Sequence, residues 1–96
     1  MRYFHRTALS PDDVLSEADR YFGERCETTH TASRLRVFTG MVGEVTLRVE
    51  AEGGHYTLIT VTTDQVGESE ADKLAKRFLT VVHTRVEPSH VARGAY

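Results

Sequence analysis

Hydrophobic and polar residues alternate most regularly over residues 44–52, EVTLRVEAE. Four apolar side chains point one way and five polar side chains point the other, which is typical of a strand with one buried and one solvated face. Less regular alternation over 2–9, 26–32, 34–39 and 55–63 predicts four further strands. Because short turns join the last four strands, we expect them to form an antiparallel sheet.

The segment that follows the first strand has a helical period instead. Its apolar side chains recur at spacings of three and four residues and end at Phe22. Ser10 is a favourable N-cap, and Pro11 suits the first helical position, where no backbone N–H is needed. Gly23 is predicted to lie just past the end of this helix, as a C′ residue.

A second helix is predicted over residues 69–85. Ser69 followed by Asp72 has the spacing of an N-cap residue and the acid in the third helical position. Acidic residues crowd its start and Arg85 lies near its end, as the helix dipole favours. One apolar stripe faces the core and consists of Ala71, Leu74, Ala75, Phe78, Leu79 and Val82.

The predicted fold is α+β: an antiparallel sheet of four to five strands with two helices packed on one face, in the order β-α-β-β-β-β-α. Residues 1–87 are predicted to form this single domain, and residues 88–96 a flexible C-terminal tail. The element order resembles a shortened helix-grip arrangement, the layout of the Bet v 1 and START-type ligand carriers. That resemblance concerns element order and implies a groove between sheet and helices.

The strand over 55–63 has apolar side chains on both faces, so its pairing with 44–52 must decide which face is buried. A two-residue glycine turn would place polar side chains opposite apolar ones. A three-residue loop over 53–55 pairs Val49 with Ile59, so that apolar side chains of the two strands lie opposite each other on the inward face. The loop length decides this, because a slip of one residue exchanges the two faces. We predict the three-residue loop, and the alternative is a bulge within the second strand.

The three-residue loop places Tyr56 and Leu58 on the outer sheet face beside Arg48. If the strands are neighbours in sequence order, Arg36 and Phe38 are predicted to join them. Aromatic and arginine side chains together are typical of protein interfaces. We therefore expect the chain to act by association through this face, as a homodimer or a subunit of an assembly; the alternative is an ordinary surface with scattered apolar residues.

A second hypothesis is that the chain carries a small apolar ligand between its sheet and its helices. A chain of 96 residues leaves little room for such a cavity, because ligand sites typically occupy about 300–1,000 Å³. The residues expected to line the gap are Val14, Phe22, Leu47 and Phe78.

A third hypothesis is binding of single-stranded nucleic acid along a strip of arginines. Exposed aromatic rings would stack on the bases, as in many single-strand binders. The net charge of −2 shows no basic excess, which argues against extended nucleic-acid binding. The strip comprises Arg34, Arg36 and Arg48, and the aromatic side chains are Phe38 and Tyr56.

Composition and known motifs favour no catalytic class. Cys26 is the only cysteine, so no internal disulfide can form, and we expect it to be a small buried side chain. The first residues lack the apolar core of a signal peptide and no apolar run approaches ~20 residues, so a cytoplasmic location is expected.

Neither a metal site nor a cofactor site is expected from the sequence. Cys26 and His30 share a strand face but lie about 13 Å apart along it, too far to bind one ion. The histidines are spread over predicted strands, a turn, a helix end and the tail; they are His5, His30, His55, His83 and His90.

Overall fold

The computed structural model describes residues 1–66 and 69–86 and contains five strands and two helices in the predicted order. All strand pairs are antiparallel, which confirms the α+β fold. The tail predicted over 88–96 lies outside the described residues. The elements are β1 Arg2–Thr7, α1 Pro11–Gly23, β2 Glu27–Ala32, β3 Leu35–Gly40, β4 Gly43–Glu52, β5 Tyr56–Thr63 and α2 Glu70–Val86.

The strands lie in the order β1-β5-β4-β3-β2. The first strand therefore pairs with the last, and α1 carries the chain across the sheet to the opposite edge. α1 packs on β2, β3 and β4, while α2 packs on β1, β4 and β5. Both helices cover the same sheet face, because the alternating apolar side chains of β4 and β5 have to be buried on one side.

The pairing of β4 with β5 confirms the predicted register. Val49 lies opposite Ile59, and the two strands are joined by the three residues 53–55. Gly53 and Gly54 have φ values of 63° and 75°, a left-handed conformation that glycine adopts without steric cost. Pairing along β5 is continuous, so the bulge considered for this strand is absent from the described pairs; a register shift occurs instead in β2.

The start of α1 is as predicted, and its end differs by one residue. The Ser10 hydroxyl accepts a hydrogen bond from the backbone N–H of Asp13, and Pro11 is the first helical residue. Gly23 keeps the helical conformation, and Glu24 is the C-cap, with φ −81°. The expectation that Gly23 is a left-handed C′ residue is therefore wrong, since the helix ends without that motif.

Three phenylalanine rings from three elements fill the centre of the core. Phe22 of α1 stacks on Phe38 of β3 with ring centroids 4.6 Å apart, and lies 5.2 Å from the ring of Phe78 in α2. All three side chains are fully buried. The aromatic cluster thus joins both helices to the sheet.

Candidate functional site: the open face of the sheet

The sheet face opposite the helices, here called the outer face, is uncovered in the described chain. Phe4 and Tyr56 are 59% and 56% exposed on it, which is unusual for large aromatic side chains. Three aliphatic side chains on the same face are half-buried: Leu35, Val37 and Leu58. Strand register assigns the following side chains of β1, β3, β4 and β5 to this face: Arg2, Phe4, Arg6, Leu35, Val37, Thr39, Glu44, Thr46, Arg48, Glu50, Glu52, Tyr56, Leu58, Thr60 and Thr62.

Phe38 and Arg36 do not belong to the outer face, so their predicted placement is wrong. Phe38 lies opposite Val45 and is fully buried. Arg36 also points to the helix side, where its Nε donates a 3.0 Å hydrogen bond to Asp19 of α1. An arginine can occupy this position because its aliphatic stem lies along the sheet while its guanidinium reaches a carboxylate.

Three of the five predicted interface residues share the outer face: Arg48, Tyr56 and Leu58. Phe4 joins them because β1 pairs with β5 and sets Phe4 opposite Thr60. The alternation over the first strand separates Phe4 from Tyr3, but that strand's place in the sheet cannot be inferred from periodicity. This is why sequence analysis missed the most exposed aromatic ring of the face.

Arg2 and Arg48 flank a concavity of about 400 Å³ on the outer face. Its floor is formed by the side chains of Thr46, Thr60 and Thr62. Neither arginine forms an ion pair within the described chain, whereas Arg6 does so with Glu52. Two guanidinium groups without counter-ions above three hydroxyl groups form an arrangement that favours a carboxylate or another small anion.

Arg6 and Glu52 form an ion pair that crosses the outer face over β5. Their strands, β1 and β4, flank β5, so both side chains extend across the intervening strand near Leu58. The hydrogen bond to the Glu52 carboxylate, and then its charge, raise the pKa of Arg6. This pair occupies one end of the face and leaves Arg48, on the central strand, and Arg2, on the edge strand, as the other arginines of β1 and β4 on this face.

His5 and His83 are brought together although 77 residues separate them in the sequence. Their ring centroids lie 6.1 Å apart with the planes nearly perpendicular, and both line an opening of about 340 Å³ between β1 and α2. Burial, and then the nearby His83, lower the pKa of His5. No three His, Cys, Asp or Glu side chains within the described residues converge as metal ligands.

The residues expected to line a carrier groove are part of the packed core. Val14, Phe22, Leu47 and Phe78 are all fully buried. Since the ring of Phe22 contacts neighbouring aromatic rings on both sides, the space between sheet and helices at this point is filled by side chains. The core gives no support to the carrier hypothesis.

Cys26 is half-buried and lies just before β2. Burial raises the pKa of its thiol, which disfavours the reactive thiolate.

The arginine strip of the nucleic-acid hypothesis is divided, because Arg36 points to the helix side while Arg48 stays on the outer face. Neither described helix is both long and apolar enough to cross a membrane.

The chain was compared with protein-family models, curated proteins and solved structures, and none of them matches.

Proposed function

We propose that this protein acts by association and forms a homodimer through the outer face of its sheet. The observation that carries the proposal is that both helices cover one face and leave Phe4 and Tyr56 more than half exposed on the other. Burying exposed apolar surface provides about 25 cal/mol per Å², the main driving force of association. A partner on this face would add a layer on the side of the sheet that the two helices leave open.

Charge composition supports a second copy as that partner. The outer face carries three arginines and three glutamates on β1 and β4, so it has no large excess of either sign. A nucleic acid would require a basic excess, whereas a balanced face can be complementary to itself. This balance favours self-association over a strongly charged partner.

The size of the face is compatible with a small specific dimer. Five strands at ~4.8 Å spacing and six residues at ~3.3 Å rise give a face of about 24 by 20 Å. Two such faces bury about 1,000 Å² in total, near the lower limit for specific interfaces. We therefore expect a dimer of moderate affinity, with Kd in the micromolar range, that dissociates on dilution.

The test is solution mass by light scattering as a function of concentration, for the wild type and for the double variant Tyr56→Glu, Leu58→Glu. We expect a wild-type mass near twice 10.8 kDa at high concentration and a folded monomer for the variant. Met41→Glu is the matched control, because Met41 is fully exposed in the β3–β4 turn and lies off the sheet face. A wild type that stays monomeric at millimolar concentration would exclude the proposal.

A further inference from the structure

The outer face of β4 has an ordered charge pattern. Glu44, Thr46, Arg48, Glu50 and Glu52 follow one another at every second position. The only arginine of this row is therefore next to a glutamate of the same face, about 7 Å along the strand. Where β4 faces β4 of a second copy, this pair of opposite charges is matched only when one copy is reversed relative to the other.

When two sheets pack face to face with their strands aligned, the two-fold axis in the plane between them runs either along the strands or perpendicular to them. An axis parallel to the strands and centred on β4 sets Arg48 against Arg48 of the second copy, which is repulsive. An axis perpendicular to the strands that crosses β4 at Val49 instead sets Arg48 against Glu50 of the second copy, twice by symmetry. We infer that the dimer has this second arrangement, an inference that rests on the proposed function.

Other crossing points of the perpendicular axis bring like charges together. Crossing at Leu47 sets Glu44 against Glu50 of the second copy, and crossing at Ala51 sets Glu50 against Glu52. Crossing at Thr46 sets Arg2 against its own copy, because Arg2, Thr62 and Thr46 lie in one row across the sheet. Crossing at Thr46 also sets Arg48 against Glu44 of the second copy, but Val49 alone among these positions pairs opposite charges without setting like charges against each other.

The same axis provides partners for the exposed side chains of neighbouring strands. Phe4 lies over Arg6 of the second copy, a cation–π geometry, because these residues occupy successive outer positions of β1. Leu58 lies over Thr60 in the same way on β5. Phe4 and Leu58 are thereby covered.

The concavity beside Arg48 receives the carboxylate in this arrangement. Face-to-face sheets pack about 10 Å apart, a distance that an extended arginine and a glutamate span together. Glu50 of the second copy would reach the opening between Arg2 and Arg48, where the hydroxyls of its threonine floor can also donate hydrogen bonds. Arginine–carboxylate pairs of this kind are directional, so they fix the register of the dimer.

The experiment uses two charge-reversal variants, Arg48→Glu and Glu50→Arg, each alone and then mixed. Each variant alone places like charges across the axis twice, so we expect the Kd of its dimer to be at least tenfold higher than that of the wild-type dimer. An equimolar mixture restores both opposite-charge pairs, so a 1:1 heterodimer should form with near wild-type affinity. Arg77→Glu is the control, an exposed arginine on the helix side whose reversal should leave the dimer unchanged.

A second measurement fixes the orientation with the charges intact. In a Cys26→Ala background, a spin label at Met41→Cys lies eight residues from the proposed axis. The two labels should then be about 50 Å apart, whereas an axis parallel to the strands would bring them within about 20 Å.

The outcomes separate this inference from the proposed function. A monomeric wild type excludes both. A dimeric wild type with a short label distance, or with variants that do not form a heterodimer on mixing, overturns the arrangement about Val49 and leaves association through the outer face standing. A long label distance together with heterodimer formation supports the arrangement.

Discussion

The hydroxyl of Tyr3, in the first strand, donates a 2.8 Å hydrogen bond to the carboxylate of Asp72, in the first turn of the last helix. The same carboxylate accepts hydrogen bonds from Thr63 at 3.0 Å and from the Ser69 hydroxyl at 2.6 Å. The backbone N–H of Asp72 in turn donates to the Ser69 hydroxyl, which confirms the predicted N-cap. One buried carboxylate thus links β1, β5 and the start of α2.

Asp72→Asn is expected to lower stability at neutral pH and to reduce acid sensitivity. Burial alone would raise the pKa of Asp72, but hydrogen bonds from Ser69, Tyr3 and Thr63 outweigh it and lower the pKa to about 2 from 3.8. Its stabilising contribution is therefore complete above pH 3.8 and is lost as the pH falls from there towards about 2. Thermal unfolding followed by circular dichroism between pH 7 and pH 2 measures both effects.

Two comparisons refine the Asp72 test. Tyr3→Phe removes one donor and should cost less stability than Asp72→Asn, while Ser69→Ala should cost about 1 kcal/mol through the lost cap. Exposed Asp12→Asn is the control. If Asp72→Asn unfolds at the wild-type temperature over the whole pH range, the network is not stabilising.

His5 is expected to make the protein less stable in mild acid. Its pKa is lowered from 6.5, first by burial and then by His83, so the unfolded chain binds a proton more readily than the folded one. Stability should therefore decrease as the pH falls below 6.5. His5→Leu should reduce the difference in melting temperature between pH 7.5 and 5.5, whereas His30→Leu, at an exposed strand position, should leave it unchanged. If the melting temperatures of both variants depend equally on pH, His5 is not the source of the lower stability in mild acid.

Alanine substitutions of two phenylalanines test the assignment of the sheet faces. Phe38→Ala removes a ring that stacks on Phe22 in the core and should cost about 3–5 kcal/mol. Phe4→Ala removes an exposed ring of the same size and should change the stability of the monomer by less than about 0.5 kcal/mol. Denaturant unfolding, at a concentration where the protein is monomeric, gives both values. Similar costs would show that Phe38 is not the inward-facing residue.

Two glycines should respond to alanine in opposite directions. Gly43 has φ 124°, and a Cβ there would lie 2.7 Å from Oδ1 of Asp64, which accepts a hydrogen bond from the backbone N–H of Glu44. Gly43→Ala should therefore cost about 1–3 kcal/mol. Gly23 is helical and has open space around it, so Gly23→Ala should stabilise the protein by about 0.4–1 kcal/mol. Melting temperatures of the two variants measure the contrast, and a stabilising Gly43→Ala would contradict it.

The sequence alone determined the elements, their order and the register of the central hairpin. Alternation in β4 leaves only one face that can be buried, which favours Val49 opposite Ile59 through the three-residue loop, as the structure confirms. The alternative of a bulge in β5 was excluded only by the continuous pairing that the structure shows. The caps at Ser10 and Ser69 were also predicted, because N-cap hydrogen bonds are made within one turn of chain. Local interactions of this kind depend on neighbouring residues and can be inferred without the fold.

Tertiary structure decided which face of β3 is buried and where β1 lies. Arg36 and Phe38 alternate with two aliphatic residues, so periodicity gives β3 no unique inward face. The choice depends on Phe22 and Asp19 of α1, which offer a ring to stack on Phe38 and a carboxylate to bind Arg36. These contacts join segments that are distant in sequence, and the same holds for the pairing of β1 with β5 that exposes Phe4. The composition of the outer face is thus a property of the assembled sheet, because the side of a strand that stays exposed depends on what packs against its opposite side.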